Sequence, residues 1–170
     1  MPNEPMTDEP GRLPDGAFLG REAFRASVSA AFLMAERAGW REMIISDADF
    51  EDWPLNERAL VDALGKWIRQ ADRFVMLARN YDKVVRLHPL FTEWRRFWSH
   101  KIDCRICSHA GPQDMPSALW SPEWALARAD TMRSTGTSGS EPERRVAQRQ
   151  ALDEWLKRST PGFPATTLGL

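Results

Sequence analysis

Apolar residues recur at helical spacing in three segments that lie before residue 100. The first segment follows the i, i+4, i+7, i+8, i+11 pattern of one buried helix face, met by Phe24, Val28, Ala31, Phe32 and Ala35. The second segment has the same kind of stripe in Leu60, Leu64, Trp67, Ile68 and Ala71. The third has it in Leu90, Phe91, Trp94, Phe97 and Trp98. These patterns predict one helix over residues 18–38 and two more, which start after Asn56 and at Pro89.

Short apolar runs between these segments predict three strands. Residues 43–45 form one run, and residues 74–78 form a second that is apolar on both faces, as is typical of a central strand covered on both sides. Residues 102–106 alternate between apolar and polar side chains. Strands separated by helices of this length need crossover connections, which give parallel pairing. The pattern therefore predicts an α/β fold, a three-layer sandwich with a mostly parallel central sheet.

The pattern is weaker after Pro112. Residues 118–120 and 124–129 predict two short edge strands, because each is a short apolar segment bounded by turn-forming residues. Residues 131–140 are rich in Ser, Thr and Gly and predict a loop. Residues 141–158 have a helix-forming composition and predict a final helix.

The chain divides into one domain and two tails. Residues 1–17 are acidic and proline-rich and lack apolar periodicity, so we expect a disordered tail. Residues 18–158 are expected to form a single α/β domain. Residues 159–170 are expected to form an extended C-terminal tail that packs back through Phe163 and Leu168.

Composition restricts the partners that we expect. The 170-residue chain has 23 Lys and Arg against 24 Asp and Glu, a net charge of −1. A dedicated nucleic-acid or anionic-membrane binder usually carries a clear basic excess, so neither partner is expected. No uncharged stretch inside the predicted domain approaches the roughly 20 residues that cross a bilayer. Two cysteines and no secretory signal pattern predict a reduced, cytoplasmic protein.

Charge is nevertheless unevenly distributed. Residues 69–105 hold nine basic and four acidic side chains, a net charge of +5. Arg95 and Arg96 are consecutive on the third predicted helix, so one of the two is expected to face solvent. This segment therefore predicts either an anion-binding surface or internal ion pairs with the acidic N-terminal third of the chain.

The predicted strand ends supply the candidate ligand site. In an open parallel sheet, ligands bind outside the carboxyl ends of the strands. The candidate ligand-binding residues at those ends are Asp47, Asp49, Arg79, Asn80, Tyr81 and His109. A guanidinium such as that of Arg79 binds a phosphate or carboxylate through two hydrogen bonds. The alternative is that Arg79 pairs with Asp47 or Asp49 and that the carboxylates only shape a loop.

One of these segments also suggests an enzyme. Asp47-Ala48-Asp49 at the end of an apolar strand resembles the first motif of the haloacid-dehalogenase phosphatases, whose two carboxylates hold Mg²⁺ and attack a phosphoryl group. Arg79 stands where that family has Ser or Thr, and Phe50-Glu51 replaces its Gly-Thr type pair. A Mg²⁺-dependent phosphatase using Asp47 and Asp49 is therefore the alternative function rather than the expected one.

Two further patterns favour structural roles. Cys104 and Cys107 form a C-x-x-C pair near His109, but a structural zinc site takes four ligands and no second pair exists. The chain has eight tryptophans, which would suit stacking on single-stranded nucleic acid. Trp67 and Trp94, however, fall on apolar helix faces. We therefore expect no metal, no cofactor and no nucleic-acid partner.

A set of apolar positions and histidines spans residues 41–107. It comprises Ile44 to Phe50, Leu60, Leu64, Trp67, the 74–78 strand, His88, Pro89, Trp94, His100 and Ile102. In this arrangement the segment resembles a bacterial domain of unknown function that is found beside or fused with acetyltransferases. That domain is similar in layout to one half of a phospholipase D-like fold. The resemblance implies an acetyltransferase as a neighbour.

The same resemblance implies no phospholipase chemistry. Active members of the phospholipase D family need His-x-Lys followed four residues later by Asp, and none of His88, His100 and His109 has Lys two residues on. Neither the His, Lys and Asp residues of the phospholipase D motif nor the residues of the phosphatase motifs form a complete set here, so we expect no catalytic activity. The sequence as a whole predicts a cytoplasmic binding or regulatory module that recognises a small anionic ligand or a protein partner.

Overall fold

The computed structural model describes residues 11–163, and one sheet organises all of its elements. The strands are β1 (Gly16–Leu19), β2 (Glu42–Ser46), β3 (Arg73–Ala78), β4 (Ile102–Ile106), β5 (Ala118–Trp120), β6 (Ala125–Asp130), β7 (Thr135–Gly139) and β8 (Thr160–Pro161). The helices are α1 (Arg21–Ala38), α2 (Arg58–Trp67), α3 (Asp82–Leu87), α4 (Pro89–Phe97) and α5 (Pro142–Lys157).

The sheet is mixed and mostly antiparallel, so the prediction of a mostly parallel sheet is wrong. Its strand order is β1-β7-β6-β5-β2-β3-β4-β8. Only β2, β3 and β4 pair in parallel, and helical crossovers join these neighbouring strands: α2 connects β2 to β3, and α3 and α4 connect β3 to β4. After β4, short connections join β5, β6 and β7, and such connections give antiparallel pairing. β5 and β6 are interior strands rather than edge strands, because β7 and β1 continue the sheet beyond them.

Helices cover both faces of the sheet. On one face, α1 to α4 pack on a core that includes Met43 and Phe74. On the other face, Leu152 of α5 packs against Ile44 and Val75. Consecutive strand residues such as Met43 and Ile44 therefore serve opposite layers, as the two-residue period of a strand requires. Among residues 11–163, no helix has the length and apolar content to cross a membrane.

β1 and β7 lie where the sequence predicts a tail and a loop. β7 falls in the Ser/Thr/Gly segment, and β1 begins at Gly16, ahead of the first predicted helix. β7 has almost no apolar side chain, but it pairs with β6 on one side and with β1 on the other. A Cβ atom at Gly136 would overlap the carbonyl oxygen of Ala127 and lie 2.8 Å from the ring of Phe18. Tertiary pairing therefore overrides the weak strand preference of this segment.

Both described ends of the chain contact the sheet. The Trp124 indole and the Ser138 hydroxyl each donate a hydrogen bond of 2.9 Å to the carbonyl oxygen of Pro14. At the opposite edge, Thr160 and Pro161 of β8 pair with β4. Residues 1–10 and 164–170, which include most of the predicted N-terminal tail and the predicted contact through Leu168, lie outside the described residues.

Candidate functional site

Asp47 directly follows β2, and both of its carboxylate oxygens are occupied. Its Oδ2 accepts hydrogen bonds from the backbone N–H groups of Asp49 (3.2 Å) and Phe50 (2.8 Å), which fold the loop after β2. Its Oδ1 accepts a hydrogen bond of 3.0 Å from the guanidinium of Arg128. Asp47 is 3% exposed, so this carboxylate belongs to the interior of the protein.

Arg128 in β6 is the centre of a buried polar network, which we call the Arg128 cluster. Besides Asp47, its guanidinium donates hydrogen bonds to Asp52 (2.9 Å), Ser117 (3.0 Å) and Ser134 (3.1 Å). The guanidinium also lies 4.3 Å from the centre of the Phe24 ring, a cation–π contact. The cluster therefore ties the loop after β2 to β6, to the segment before β5 and to the β6–β7 turn.

The two-residue period of β6 is the feature of the sequence that points to Arg128. In a strand, side chains two residues apart point to the same face. Leu126 is fully buried in the core beneath α1, and Arg128 shares its face. A cation at a core-facing position needs buried partners, and Asp47 supplies the charge. Which carboxylate would meet Arg128 depends on the antiparallel pairing, which the sequence does not specify.

Asp49 and Lys83 form a second, more exposed pair beside this cluster. The Lys83 ammonium lies 3.0 Å from Asp49 and 2.8 Å from Glu51. Partial burial raises the pKa of Asp49, but hydrogen bonds from the Glu51 N–H and from Lys83 outweigh it and leave the pKa below its usual value. Hydrogen bonds to the carboxylates of Glu51 and Asp49 raise the pKa of Lys83. Asp47 and Asp49 therefore pair with Arg128 and Lys83, and not with Arg79.

The other predicted ligand-binding residues lie after β3 and β4. Arg79 Nε donates a hydrogen bond of 2.6 Å to the carbonyl oxygen of Ala110, in the loop that also carries the exposed His109. Asn80 is exposed, and its side-chain oxygen accepts a hydrogen bond from the backbone N–H of Asp82. The buried Tyr81 hydroxyl lies 2.9 Å from the carbonyl oxygen of Arg105, and burial raises the pKa of Tyr81 well above its usual value. The Arg79 backbone N–H donates a hydrogen bond of 3.0 Å to the carbonyl oxygen of Ala48, so the loops after β2 and β3 are adjacent, but the described side-chain hydrogen bonds of Arg79, Asn80 and Tyr81 do not go to either aspartate.

Two adjoining clefts open beside the Arg128 cluster. The larger, of about 880 Å³, lies between β6, α5 and the segment before β5, and its polar lining includes Arg144 and Gln148. The smaller, of about 280 Å³, lies over Asp47 and Asp49. Arg128 lines both clefts. In the described part of the chain, no group of three or more His, Cys, Asp and Glu side chains is arranged to hold a metal ion.

A different kind of surface lies where the C-terminal ends of α2 and α4 meet, and we call it the α2–α4 surface. It comprises Lys66, Arg69, Arg96, Phe97, Trp98, His100 and Lys101. Lys101 joins the two ends, since its ammonium donates hydrogen bonds to the carbonyl oxygens of Ile68 (2.5 Å) and Arg69 (3.4 Å). Phe97 is 75% exposed, and the rings of Trp98 and His100 stack with their centres 6.0 Å apart. This surface combines exposed aromatic rings with positive charge.

The cations of the α2–α4 surface keep their charge uncompensated. Within residues 11–163, Lys66, Arg69, Arg96 and Lys101 form no ion pair. Arg96 is exposed and Arg95 is buried, so one of these two arginines faces solvent, as the sequence predicts. Cations near helix C-termini are favoured by the helix dipole, which explains part of this arrangement without any ligand.

Comparison with solved structures shows a likeness of fold. No family model matches this chain, and no curated protein matches it. Its fold is similar to that of TrmBL2, an archaeal chromatin protein whose structure shows a novel mode of DNA binding. The TM-score is 0.65 at 10% sequence identity, and the match covers 92% of this chain and 56% of the TrmBL2 chain. At this identity the likeness shows a TrmBL2-like fold and nothing more.

The expected half phospholipase D-like domain of a bacterial, acetyltransferase-associated family is therefore wrong. No family model and no curated protein supports it, and a solved structure of similar fold is that of TrmBL2. The positions that carry the resemblance, such as Leu60, Trp67 and Ile102, are core positions here. Apolar spacing of this kind is required wherever helices pack on a sheet, so it does not identify a family.

Proposed function

We propose that this protein binds DNA through the α2–α4 surface. The observation that carries the proposal is the exposed ring of Phe97 at the end of α4, next in sequence to Arg96, together with Lys101, which reaches the end of α2 at Arg69; these cations have no carboxylate partner among the described residues. Lys and Arg side chains neutralise phosphates and release condensed counterions, which supplies most of the affinity for a nucleic acid. An exposed aromatic ring adds a face on which a base can stack.

The fold likeness supports the same class of partner. TrmBL2 is a chromatin protein with a novel mode of DNA binding, and this chain shares its fold over 92% of its own length. Because the chain spans only 56% of the TrmBL2 chain, the DNA contacts of that protein are not transferred to it residue by residue. The choice of the α2–α4 surface rests on the charges and rings of this chain alone.

This proposal replaces the partners that the sequence predicts. A small anionic ligand, a protein partner and a phosphatase reaction are all set aside, because the protein of similar fold is a DNA-binding one. The prediction that nucleic acid is not a partner is wrong for a physical reason. The net charge of −1 averages over the whole chain, whereas phosphates respond to the charge of the surface that they meet, and the cations of the α2–α4 surface form no ion pair among residues 11–163. Both oxygens of Asp47 are also engaged, so it is a poor nucleophile.

We place the protein in the cytoplasm as part of this proposal. Cys104 and Cys107 are both free thiols. Disulfides are common in exported proteins and rare in reducing compartments, so two free cysteines fit a cytoplasmic location. No catalytic step is proposed at any site.

Fluorescence anisotropy with labelled DNA tests the proposal. We expect duplex DNA to bind at about 50 mM salt and to weaken steeply towards about 200 mM, because counterion release governs the affinity. Replacing both Arg69 and Arg96 by Gln should reduce the slope of log K against log salt by about 2, close to one for each lost phosphate contact. Arg37→Gln is the matched control, since Arg37 is an exposed cation on α1 with no ion pair in the described range.

The role of the ring is tested separately. Phe97→Ala should weaken binding of single-stranded DNA by about 5-fold to 100-fold, the contribution of one stacked base, and weaken duplex binding less. Leu33→Ala removes a half-exposed apolar side chain from α1 and should change neither the single-strand affinity nor the duplex affinity. No DNA binding at low salt, or equal effects of the Arg69/Arg96 and Arg37 variants, would refute the proposed surface.

A further inference from the structure

The ring of Phe163 lies between two flat groups. On one side the ring of Tyr81 stacks on it, with centres 4.4 Å apart and planes inclined by 13°. The guanidinium carbon of Arg95 lies 3.9 Å from the centre of the same ring. Two groups at these distances cannot share one face of a ring, so Phe163 is held between them. An aromatic ring on one face and a guanidinium on the other is the environment that proteins offer to an unstacked nucleobase.

Arg95 is a buried cation without a carboxylate partner in residues 11–163. It is 4% exposed, and its Nε lies 3.2 Å from the sulfur of Cys104. Its other described hydrogen bond goes to the carbonyl oxygen of Phe163. Burial of a charge is unfavourable unless an opposite charge compensates it. A phosphate group beside Arg95 would supply that charge, whereas the Phe163 carbonyl supplies only a dipole.

The tail that carries Phe163 is attached to one edge of the sheet only, through β8, the hydrogen bond from the Gly162 N–H to the Cys104 carbonyl oxygen and two hydrogen bonds from Arg105 to Ser159. β8 contains only Thr160 and Pro161, and it pairs with β4 alone. Phe163 itself has a φ of +53°, which a residue with a side chain rarely adopts. A strained residue next to a two-residue strand can leave its place at a low cost in free energy.

Space and polar groups for a base adjoin the stacked rings. A cleft of about 400 Å³ is lined by Asn80, Tyr81, Asp82, Val85, Ile106 and Phe163. Asn80 is exposed at this cleft, and its side-chain amide has donor and acceptor groups of the kind that read the edge of a base. Removal of Phe163 would extend the cleft to the face of Tyr81 and to the guanidinium of Arg95.

We infer that Tyr81 and Arg95 form a binding site for one unstacked base of single-stranded DNA, and that Phe163 fills this site when DNA is absent. The inference rests on the proposed DNA-binding function and deepens it. Phe163 of the tail and the base compete for the same position between Tyr81 and Arg95. The tail therefore lowers the affinity for single-stranded DNA. Duplex DNA has no unstacked base, so its binding by the α2–α4 surface does not depend on Phe163.

Two substitutions of Phe163 with opposite effects test the inference. Phe163→Ala empties the site and should raise the affinity for a single-stranded oligonucleotide by about 5-fold or more, the effect of one gained base stack. Phe163→Trp offers a larger ring to Tyr81 and Arg95 and should lower that affinity. The affinity for duplex DNA should stay the same in both variants. Leu19→Ala, at a residue 77% exposed on β1, is the control for the loss of an apolar side chain.

A base analogue reports the stacking directly. An oligonucleotide with one 2-aminopurine should lose more fluorescence on binding Phe163→Ala than on binding the wild type, since stacking on an aromatic ring quenches that base. Adding Arg95→Met to Phe163→Ala should abolish both the added quenching and the gain in affinity. Thermal melting checks that each variant is folded.

The outcomes separate the inference from the proposed function. Duplex binding that is sensitive to Arg69 and Arg96, together with unchanged single-strand affinity in Phe163→Ala, overturns the base site and leaves the function standing. No binding of any DNA overturns both. If Phe163→Ala does not fold, the single-strand affinity of Phe163→Trp tests the inference in its place. An unchanged single-strand affinity in that variant overturns the inference.

Discussion

The two halves of the sheet are stabilised in different ways. In the parallel half, β2 and β3 are buried on both faces, and Ile44 and Met76 are fully covered by helices. Buried polar or charged residues are denser in the antiparallel half: residues 117–138 contain five, which are Ser117, Ser121, Arg128, Ser134 and Ser138, whereas the longer segment of residues 42–106 contains four, which are Ser46, Asp47, His88 and Arg95. Apolar packing is non-directional, whereas each buried polar group needs a partner at a defined place. The first half therefore depends on the volume of its side chains and the second on the geometry of its hydrogen bonds.

The largest effect should come from the Arg128 cluster. Arg128→Met keeps the length of the side chain but leaves Asp47 buried without its cation, because the pair is 3% and 4% exposed. We expect a loss of about 3–5 kcal/mol in the free energy of unfolding, the usual cost of breaking one side of a buried ion pair. Urea unfolding measures this loss. Arg133→Met is the control, since Arg133 is 83% exposed and should change stability by less than about 0.5 kcal/mol.

A loss below about 1 kcal/mol for Arg128→Met would mean that Asp47 gains water or another partner once the guanidinium is gone. The contrast between the two halves would then not hold.

The parallel half should respond to a change in volume instead. Met76→Ala in β3 removes a fully buried side chain and should cost about 2–5 kcal/mol, depending on how far the helices close the cavity. Met76→Leu conserves volume and should cost less than about 1.5 kcal/mol. Met132→Ala, at a residue 83% exposed, should have little effect. Equal losses for the Ala and Leu substitutions would show that volume is not what this half requires.

Two glycines give a smaller test of the same contrast. Gly136→Ala places a methyl group against the backbone of β6, so we expect a loss of about 1–3 kcal/mol. Gly65→Ala on α2 places its methyl group 3.5 Å from the indole nitrogen of Trp94, an ordinary contact, and should stabilise the helix by about 0.5–1 kcal/mol. Thermal unfolding of the two variants should therefore shift in opposite directions, and a shift in the same direction would contradict this comparison.

The smallest expected effect is a dependence on pH in the parallel half. Burial lowers the pKa of His88 below its usual value of 6.5, and the hydrogen bond with the Phe50 carbonyl only partly opposes it. The unfolded chain therefore binds a proton at a higher pH than the folded protein. Stability should fall as the pH drops from 6.5 towards the lower folded pKa, by at most about 1.4 kcal/mol per pH unit.

Urea unfolding on both sides of pH 6.5 measures the pH dependence. His88→Gln should flatten the slope, whereas His100→Gln, at an exposed residue, should leave it unchanged. A slope that survives in His88→Gln would assign the pH dependence to another group.

The contrast between the halves also explains what could be predicted from the sequence. Residues 74–78 are apolar on both faces, which indicates a central strand with helices on both sides, and β3 lies there. β7 has a composition typical of a loop, because its strand conformation comes from its neighbours rather than from its own side chains. The α/β character could therefore be predicted, whereas the antiparallel half and the strand order could not.

The candidate surfaces were harder to predict for a related reason. Phe97 follows the apolar spacing of α4, and that spacing places it in the core with Trp94, although Phe97 is 75% exposed and the next residue, Trp98, packs against the core instead. Arg95 looks like a surface residue from its type, yet it is buried. Positions three and four residues after Trp94 both fit one helix face, so the spacing alone does not tell which of Phe97 and Trp98 contacts the core.

The pairing of β1 with β7 has a consequence for how the protein folds during its synthesis. Gly16 pairs with Ser138, so β1 leaves the ribosome well before the strand that it needs. At about 5–20 residues per second, the first strand waits roughly 6–24 seconds for its partner. The segment from β2 to β4 is complete at residue 106, so its parallel strands can pair during that interval. Until β7 is made, the nascent chain carries an unpaired strand, and that interval is when pairing with another nascent chain competes most strongly with correct folding.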